Sequence, residues 1–259
     1  MRRLGGVGVL VTRPQPQSLP LCRLLEEHGA TTFRLPAIEI EPAASLPELA
    51  ARLEPLEPSD LLVFTSANAV RFGAALLERR QDLSLAAIGP ATMRALGEAG
   101  FRVSYTPSGG FDSEHLLDEP GLQQLAGRRV VLIKGEGGRA LLATELAKRG
   151  ARILAIDVYR RRPARPDAAL LRQAEERAAA GLLQVVTATS LEIAAALLEL
   201  ATPALRGAFE RTHWLVPGAR VAAGLAPLGL DVPLIEAASA ADQDLVDALL
   251  RWRASTSGA

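Results

Sequence analysis

The sequence predicts an α/β protein of two similar lobes, each built on a parallel sheet, joined by a two-stranded connector with a cleft between the lobes. Three observations predict this fold. Apolar, β-branched runs alternate with helical patterns along the chain, which is typical of parallel sheets covered by helices. The same landmarks occur twice in one order, which indicates an internal duplication. Two extended segments run into prolines after equivalent helices, which indicates two crossings between the lobes.

The composition is that of a globular protein and excludes several other classes. Of the 259 residues, 49% are hydrophobic and 22% are charged, which is ample material for a core. Lys+Arg and Asp+Glu both number 29, so the zero formal charge gives no general attraction to nucleic acid or an anionic membrane. The single Cys22 excludes an internal disulfide. With no targeting segment and no run of roughly 18 uncharged apolar residues, we expect a cytoplasmic protein.

The first half of the chain predicts strands that lead directly into helices. The buried-strand run "VGVLVT" precedes the helical pattern "SLPLCRLLEEHGA", and "TTFRLPAIEI" is extended. The strand "DLLVFTS" turns into the helix "ANAVRFGAALLERR". The short strand "SLAAIG" leads into the helix "PATMRALGEAG", and "FRVSYTP" is extended again.

The second half repeats this order. The strand "RRVVLIK" precedes the helix "GRALLATELAKRGA", and "RILAIDVYRR" is extended. The strand "GLLQVVTAT" turns into "SLEIAAALLELA", and "THWLVPG" leads into "ARVAAGLAPLG". The last helix is "DQDLVDALLRWR".

Matched landmarks in the two halves support the duplication. Gly150 follows Gly29 by 121 positions at the ends of matching helices, and Gly218 follows Gly89 by 129. This drift indicates small loop insertions between two copies. If both extended segments cross between the lobes, the first lobe is discontinuous and combines residues 1–36 with 166–255. The second lobe is then 42–157, the connector strands are 36–42 and 157–165, and residues 254–259 form a frayed tail.

A glycine turn after the strand "VVLIK" allows an alternative interpretation. Gly135, Gly137 and Ala140 fit the G-x-G-x-x-G/A spacing of a dinucleotide site, and Asp157 lies near the position of a ribose-binding acid. The matching turn in the first half has Pro14 and Pro16 instead. Two dissimilar turns, each with a cation at the strand end, better suit a substrate whose negative charge is spread over many groups.

An ordered set of motifs identifies a family that the chain resembles. "VTRP", "LPAIEIEP", "LLVFTSANAV", "AAIGPATMRALGEAGFRVSYTPS", "SEHLL", "LIKGEGGRALLATELAKRGARI" and "VYRRRP" occur in the order seen in uroporphyrinogen-III synthases. The resemblance covers essentially the whole chain and is weaker in "VVTATSLEI" and "VPGARVAAGL". It implies two α/β lobes joined by a two-stranded connector.

The resemblance also implies a reaction. The family converts hydroxymethylbilane, a linear tetrapyrrole, into uroporphyrinogen III, with loss of water and inversion of the fourth ring. It implies no metal, no organic cofactor and a small-molecule polycarboxylate substrate. We also expect a monomer that binds neither nucleic acid nor membrane, with transient contact to the preceding pathway enzyme as a further option. The three histidines, His28, His115 and His213, have no paired-ligand spacing, in agreement with the absence of a metal.

Such a substrate needs hydroxyls, backbone N–H groups at helix starts and a few cations, because catalysis here is largely positioning. The substrate-binding candidates are Thr12, Arg13, Thr65, Ser66, Asn68, Gly89, Thr92, Ser113, Lys134, Gly137, Gly138, Arg139, Thr187, Thr189, Ser190, Gly218 and Arg220. The alternatives are a surface salt bridge for Arg13 and helix caps for the hydroxyl-bearing residues, including a helix start at Ser113. The family often has a hydroxyl near Val221, and Arg220 is the substitute candidate there.

Tyr159 is the catalytic candidate. It matches the family's tyrosine proposed to assist departure of the hydroxyl group, and a tyrosine can donate a hydrogen bond to a leaving oxygen. The alternative is a half-buried connector aromatic, and the run Arg160–Arg162 suits a solvated connector face. Two other function classes compete: a non-catalytic two-lobed anion-binding protein, and a nicotinamide enzyme that uses the Gly135/Gly137 turn.

Overall fold

The computed structural model describes residues 3–52, 55–78, 80–110, 112–138 and 140–256. The chain forms two compact units. Unit 1 comprises Met1–Glu39 and Arg162–Ala259, and unit 2 comprises Ile40–Arg161. The chain therefore passes from one unit to the other twice.

The strands are β1 Gly8–Val11, β2 Thr31–Arg34, β3 Ile38–Pro42, β4 Leu61–Phe64, β5 Ser84–Ala87, β6 Arg129–Gly135, β7 Arg152–Pro163, β8 Val185–Thr187, β9 His213–Pro217 and β10 Leu234–Ala237. The helices are α1 Gln15–Glu27, α2 Leu46–Arg52, α3 Ala67–Gly73, α4 Pro90–Glu98, α5 Ser113–Leu117, α6 Leu141–Lys148, α7 Ala168–Ala179, α8 Leu191–Leu200, α9 Pro203–Phe209, α10 Gly218–Ala223 and α11 Asp242–Thr256.

Unit 1 contains a five-stranded sheet in the order β10-β9-β8-β1-β2, whose strand pairs are parallel. Every residue of β1 is buried, because helices cover both faces of this central strand. One core cluster is centred on Trp214 and the apolar face of α8, and a second lies between α1 and α11. The continuous apolar runs of β1, β8 and β9 therefore reflect burial on two sides.

Unit 2 contains a five-stranded sheet in the order β3-β7-β6-β4-β5. The pairs β7–β6, β6–β4 and β4–β5 are parallel. The Ala43 N–H donates to the Val158 carbonyl and the Ala164 N–H donates to the Ala37 carbonyl, so β3 runs antiparallel to β7. The prediction of an α/β fold with two parallel-dominated sheets is confirmed.

The strand orders agree with the duplication read from the sequence. The repeat landmarks equate β6 with β1, β7 with β2, β4 with β8 and β5 with β9. In unit 2 these strands follow the order β5-β4-β6-β7, and in unit 1 their equivalents follow the order β9-β8-β1-β2. Each strand therefore occupies the same place in its sheet as its equivalent does, and each sheet takes strands from both copies.

Several elements differ from the sequence-based expectation. The segment "FRVSYTP" contributes a single bridge between Tyr105 and Ala86 instead of a strand. Helix α11 continues to Thr256, beyond the start of the tail expected at residue 254, while residues 257–259 lie outside the described part. Among the described residues, no helix combines the length and apolar character that spanning a bilayer requires.

Candidate active site

Unit 2 contains an open pocket of about 310 Å³ at the carboxyl ends of its parallel strands. Ligands of open α/β sheets bind at this edge, because the strand-to-helix turns there present backbone N–H groups and side chains. The lining residues are Thr65, Ser66, Ile88, Asp112, Ser113, Lys134, Gly135, Glu136, Gly137, Gly138, Leu142, Tyr159 and Arg161. Seven of the predicted site residues (Thr65, Ser66, Ser113, Lys134, Gly137, Gly138 and Tyr159) are among them.

Three elements of the sheet supply the centre of the pocket. Thr65 and Ser66 follow β4, the glycine turn follows β6, and Tyr159 belongs to β7. The register between β6 and β7 shifts at this point, since Lys134 pairs with Asp157 while Gly135 pairs with Tyr159. This bulge leaves Val158 without a partner across the pair, and bulges of this kind re-aim side chains near functional sites.

The Tyr159 side chain is only 3% exposed, yet its hydroxyl is held at the pocket by two polar partners. The Oη atom lies 3.1 Å from Ser66 Oγ and 3.3 Å from Arg161 Nη2. The ring stacks on Phe72 with a centroid distance of 6.1 Å. Packing on the ring and hydrogen bonding at its tip together hold the hydroxyl in one place.

Gly135 makes room for the Tyr159 ring. A Cβ atom on Gly135 would lie 2.4 Å from Tyr159 Cζ and 2.8 Å from Oη, which is closer than real Cβ contacts. The backbone of Gly135 does not have positive φ, so the glycine is required here by the neighbouring ring and not by the chain conformation. The first glycine of the apparent dinucleotide motif therefore has a packing role against tyrosine.

The rest of the turn is stabilised by Lys134. Its Nζ donates to the carbonyls of Gly135 at 3.1 Å and Gly137 at 2.8 Å, and it forms an ion pair of 2.6 Å with Asp157. Gly137 and Gly138 have φ angles of 74° and 88°, a region that glycine enters without strain. The carboxylate of Asp157 is thus engaged by a cation, which disfavours its alternative assignment as a ribose-binding acid.

The start of α5 also lines the pocket. The expectation that Ser113 caps this helix is wrong. Asp112, not Ser113, caps this helix, since its Oδ1 accepts the backbone N–H of His115 at 2.8 Å. The carboxylate also contacts His115 Nδ1 at 2.6 Å, and this hydrogen bond raises the pKa of His115. Ser113 is the first helical residue, and its side chain lines the pocket.

At the strand ends of unit 1, three of the predicted site residues have hydrogen-bond or ion-pair partners within that unit. Thr12 and Thr187 are both fully buried, with the Thr12 hydroxyl donating to the Thr187 carbonyl and the Thr12 N–H donating to Thr187 Oγ1. Arg13 is 7% exposed and forms an ion pair with Asp242 at the start of α11, as well as a hydrogen bond to the Ala240 carbonyl. The expectation that these groups stand open for a carboxylate is not met, because each has a partner within unit 1.

The remaining predicted residues lie elsewhere. Ser190 caps α8 by accepting the Ile193 N–H at 3.2 Å, and Thr189 precedes it on the same turn. Gly218 begins α10 with a φ of 72°, and Arg220 is exposed on that helix. Asn68 belongs to α3, Gly89 precedes α4 and Thr92 is 4% exposed within α4. Arg139 lies outside the described residues.

Asp112, Glu136 and Arg161 line the pocket but were not predicted. One signal for Arg161 was available in the sequence, because side chains two positions apart on a strand project from the same face and Arg161 follows Tyr159 by two. Within the described part of the chain, no group of three or more His, Cys, Asp and Glu side chains is arranged to hold a metal ion.

Comparison with known proteins identifies the family of this chain. The family model described as "Uroporphyrinogen-III synthase HemD" matches residues 20–247. The chain belongs to the uroporphyrinogen-III synthase family. A uroporphyrinogen-III synthase from Escherichia coli K12 is 35% identical over 160 residues, which cover 60% of this chain and 65% of that protein. One from Proteus mirabilis is 34% identical over 160 residues, which cover 60% of this chain and 80% of that protein. The aligned part thus covers less than two thirds of the Escherichia coli relative.

Solved uroporphyrinogen III synthases also share the fold. A variant from the extremely thermophilic bacterium Thermus thermophilus superposes with a TM-score of 0.58 at 24% identity, covering 98% of this chain and 100% of that one. The enzyme from Helicobacter pylori 26695 superposes with a TM-score of 0.56 at 16% identity, covering 95% and 99%. At these identities the likeness establishes the architecture, and the activity is argued from the site.

Proposed function

We propose that this protein is a uroporphyrinogen-III synthase: it cyclises hydroxymethylbilane to uroporphyrinogen III, with loss of water and inversion of the fourth ring. The observation that carries the proposal is the Tyr159 hydroxyl, fixed at an open pocket beside a glycine turn. Membership of the family supports the reaction class. A nicotinamide enzyme is disfavoured, because Gly135 packs on Tyr159 and Asp157 pairs with Lys134.

The pocket size suits one end of the substrate. About 310 Å³ is at the lower limit of ligand pockets, which extend from about 300 to 1,000 Å³. A linear tetrapyrrole has four pyrroles and eight carboxylates, so we assign the pocket to the ring that bears the hydroxymethyl group. The acid substituents of that ring then meet the backbone N–H groups of the glycine turn, beside the cation Lys134.

Tyr159 acts on the leaving group in this proposal. The pyrrole nitrogen supplies the electrons that break the C–O bond, and the phenol gives its hydrogen to the departing oxygen, which leaves as water. The resulting azafulvene cation is electrophilic. Positioning then decides which carbon of the last ring attacks, since the nearer, unsubstituted carbon gives the unturned isomer without assistance.

The decisive experiment is an isomer assay. Purified protein is mixed with freshly generated hydroxymethylbilane, the products are oxidised, and the uroporphyrin isomers are separated by chromatography. We expect predominantly type III, whereas a heat-denatured sample gives type I by spontaneous closure. Type I alone with native protein would reject the proposal and favour a non-catalytic tetrapyrrole- or anion-binding protein.

A further inference from the structure

Arg161 contacts Tyr159 in two ways, and neither contact was expected from the arginine run in which it lies. Its Nη2 lies 3.3 Å from Tyr159 Oη, and its Cζ lies 5.4 Å from the centroid of the Tyr159 ring. The guanidinium is therefore placed both at the hydroxyl and over the face of the ring that bears it, a favourable arrangement for a cation.

The direction of the hydrogen bond between Arg161 and this hydroxyl follows from the donors present. A guanidinium carries only hydrogens to donate, so Tyr159 Oη is the acceptor in its contact with Arg161. Ser66 Oγ already accepts the Ala69 N–H at 3.1 Å, and its own hydrogen is available for Tyr159 Oη at 3.1 Å. Either oxygen of the Ser66–Tyr159 contact can donate; when Ser66 donates to Oη as Arg161 does, the phenolic hydrogen is left for a group in the pocket.

We infer that Arg161 is a positioning residue that acts through Tyr159. It donates into one lone pair of Oη, which directs the phenolic hydrogen into the pocket, and it offsets the negative charge that grows on Oη during hydrogen transfer. This inference rests on the proposed cyclisation. The hydrogen given to the departing water is replaced by the proton that the last pyrrole loses after ring closure, so the phenol is restored in each turnover.

The neighbouring arginines supply matched controls. Arg160 projects to Glu41, with 3.4 Å between Nε and Oε2, and Arg162 is exposed. Neither lines the pocket. If the three arginines Arg160–Arg162 affected the reaction only through their positive charge, Arg160→Gln and Arg161→Gln would lower kcat equally. If Arg161 acts through the phenol, Arg160→Gln leaves kcat and KM within about twofold of the wild-type values.

The experiment is a double-mutant cycle on type III product formation, comparing Arg161→Gln, Tyr159→Phe and the double variant. We expect Arg161→Gln to lower kcat about tenfold with KM changed less than about threefold, which corresponds to losing one charge-assisted hydrogen bond. In the Tyr159→Phe background the same change lowers kcat less than about twofold, because the oxygen that it acts on is absent. Arg161→Lys recovers part of kcat, since it restores the charge but not the fork.

Three results would overturn the inference. Additive losses in the two backgrounds would show that Arg161 does not act through Tyr159. A raised KM with unchanged kcat would make it a binder of substrate carboxylates only, and full activity in Arg161→Gln would exclude any role. These failures differ from failure of the proposed function, in which the wild-type protein itself yields no type III isomer.

Discussion

The strand-end turns of the two units have the same origin and different uses. In unit 1 the residues after β1 and β8 satisfy each other: Thr12 bonds to Thr187, and Arg13 is bound by Asp242. In unit 2, Lys134 follows the strand equivalent to β1 and lines a pocket, paired with Asp157. Ser66 caps α3 and lies 3.1 Å from the hydroxyl of Tyr159 at the same pocket. The duplication preserved the strand order, while the local partners of the strand-end residues differ between the two units.

The difference shows why residue type at a strand end is a weak guide to a site. Thr12 donates two hydrogen bonds to Thr187, and both residues are fully buried, so their polar groups are engaged within unit 1. The bulge at Gly135 and the glycine under the Tyr159 ring are particular to unit 2. The bulge and the glycine together place the Tyr159 hydroxyl at the pocket.

The largest effect is expected for Tyr159→Phe. Loss of the hydroxyl removes hydrogen transfer to the leaving group but keeps the pocket, so kcat falls about 100-fold without complete loss. The matched control is Tyr105→Phe, because the Tyr105 ring packs over Gly121 away from the pocket. Single-turnover rates measure both variants. Equal rates for Tyr159→Phe and wild type would remove this tyrosine from the mechanism.

Gly135→Ala is expected to have the next largest effect. The added Cβ would meet Tyr159 Cζ at 2.4 Å and displace the ring, so kcat falls about tenfold although the backbone accepts alanine. Gly97→Ala is the control, since it lies within α4 with no atom within 4 Å of the added Cβ. That change is neutral or stabilises by up to about 1 kcal/mol. Wild-type kcat in Gly135→Ala would refute the packing role.

Ser66→Ala and Thr187→Val compare a residue that lines the pocket of unit 2 with a buried strand-end residue of unit 1. Ser66→Ala removes a helix cap and a partner of Tyr159, so we expect a several-fold fall in kcat and about 1 kcal/mol less stability. Thr187→Val leaves the buried Thr12 N–H without its acceptor and costs about 1–3 kcal/mol, with little change in kcat. Urea denaturation and steady-state rates measure the two. A larger loss of kcat in Thr187→Val than in Ser66→Ala would reverse the assignment.

The smallest effects concern pH, and they have opposite signs in the two units. Burial lowers the pKa of the His213 ring, which lies 4.9 Å from the ring of Trp252. Unfolding therefore takes up a proton below about pH 6.5, and stability falls as pH drops from about 6.5 toward the lowered value. The hydrogen bond to Asp112 raises the pKa of His115, so its contribution is present at low pH and is lost as pH rises through the raised value.

Thermal midpoints of His213→Gln and His115→Gln, measured at about pH 5.5 and about pH 8 against wild type, check these signs. His213→Gln should reduce the acid destabilisation of unit 1. His115→Gln should be destabilising at the lower pH and have less effect at the higher one. The same sign for both variants would contradict the assignment.

Periodicity and repeats predicted most strands of the two sheets and the duplication. Helix α7 was not predicted; only Ala174 among its residues is buried, and Leu170 and Leu171 are partly exposed where they pack against the core. Strand β10 is a short edge strand with alternating burial and was also missed. The hydrogen-bond partners of Arg13 and Thr12 could not be predicted from the sequence, because they lie 229 and 175 positions away along the chain.

Hydrogen–deuterium exchange with bound uroporphyrinogen III, kept under anaerobic conditions, tests the central claim most directly. If the pocket of unit 2 holds one end of the tetrapyrrole, saturating product slows amide exchange in peptides that cover residues 65–69 and 135–138, where lining residues and backbone N–H groups meet the ligand. Unchanged exchange in both peptides, under conditions where binding is demonstrated, would contradict the account.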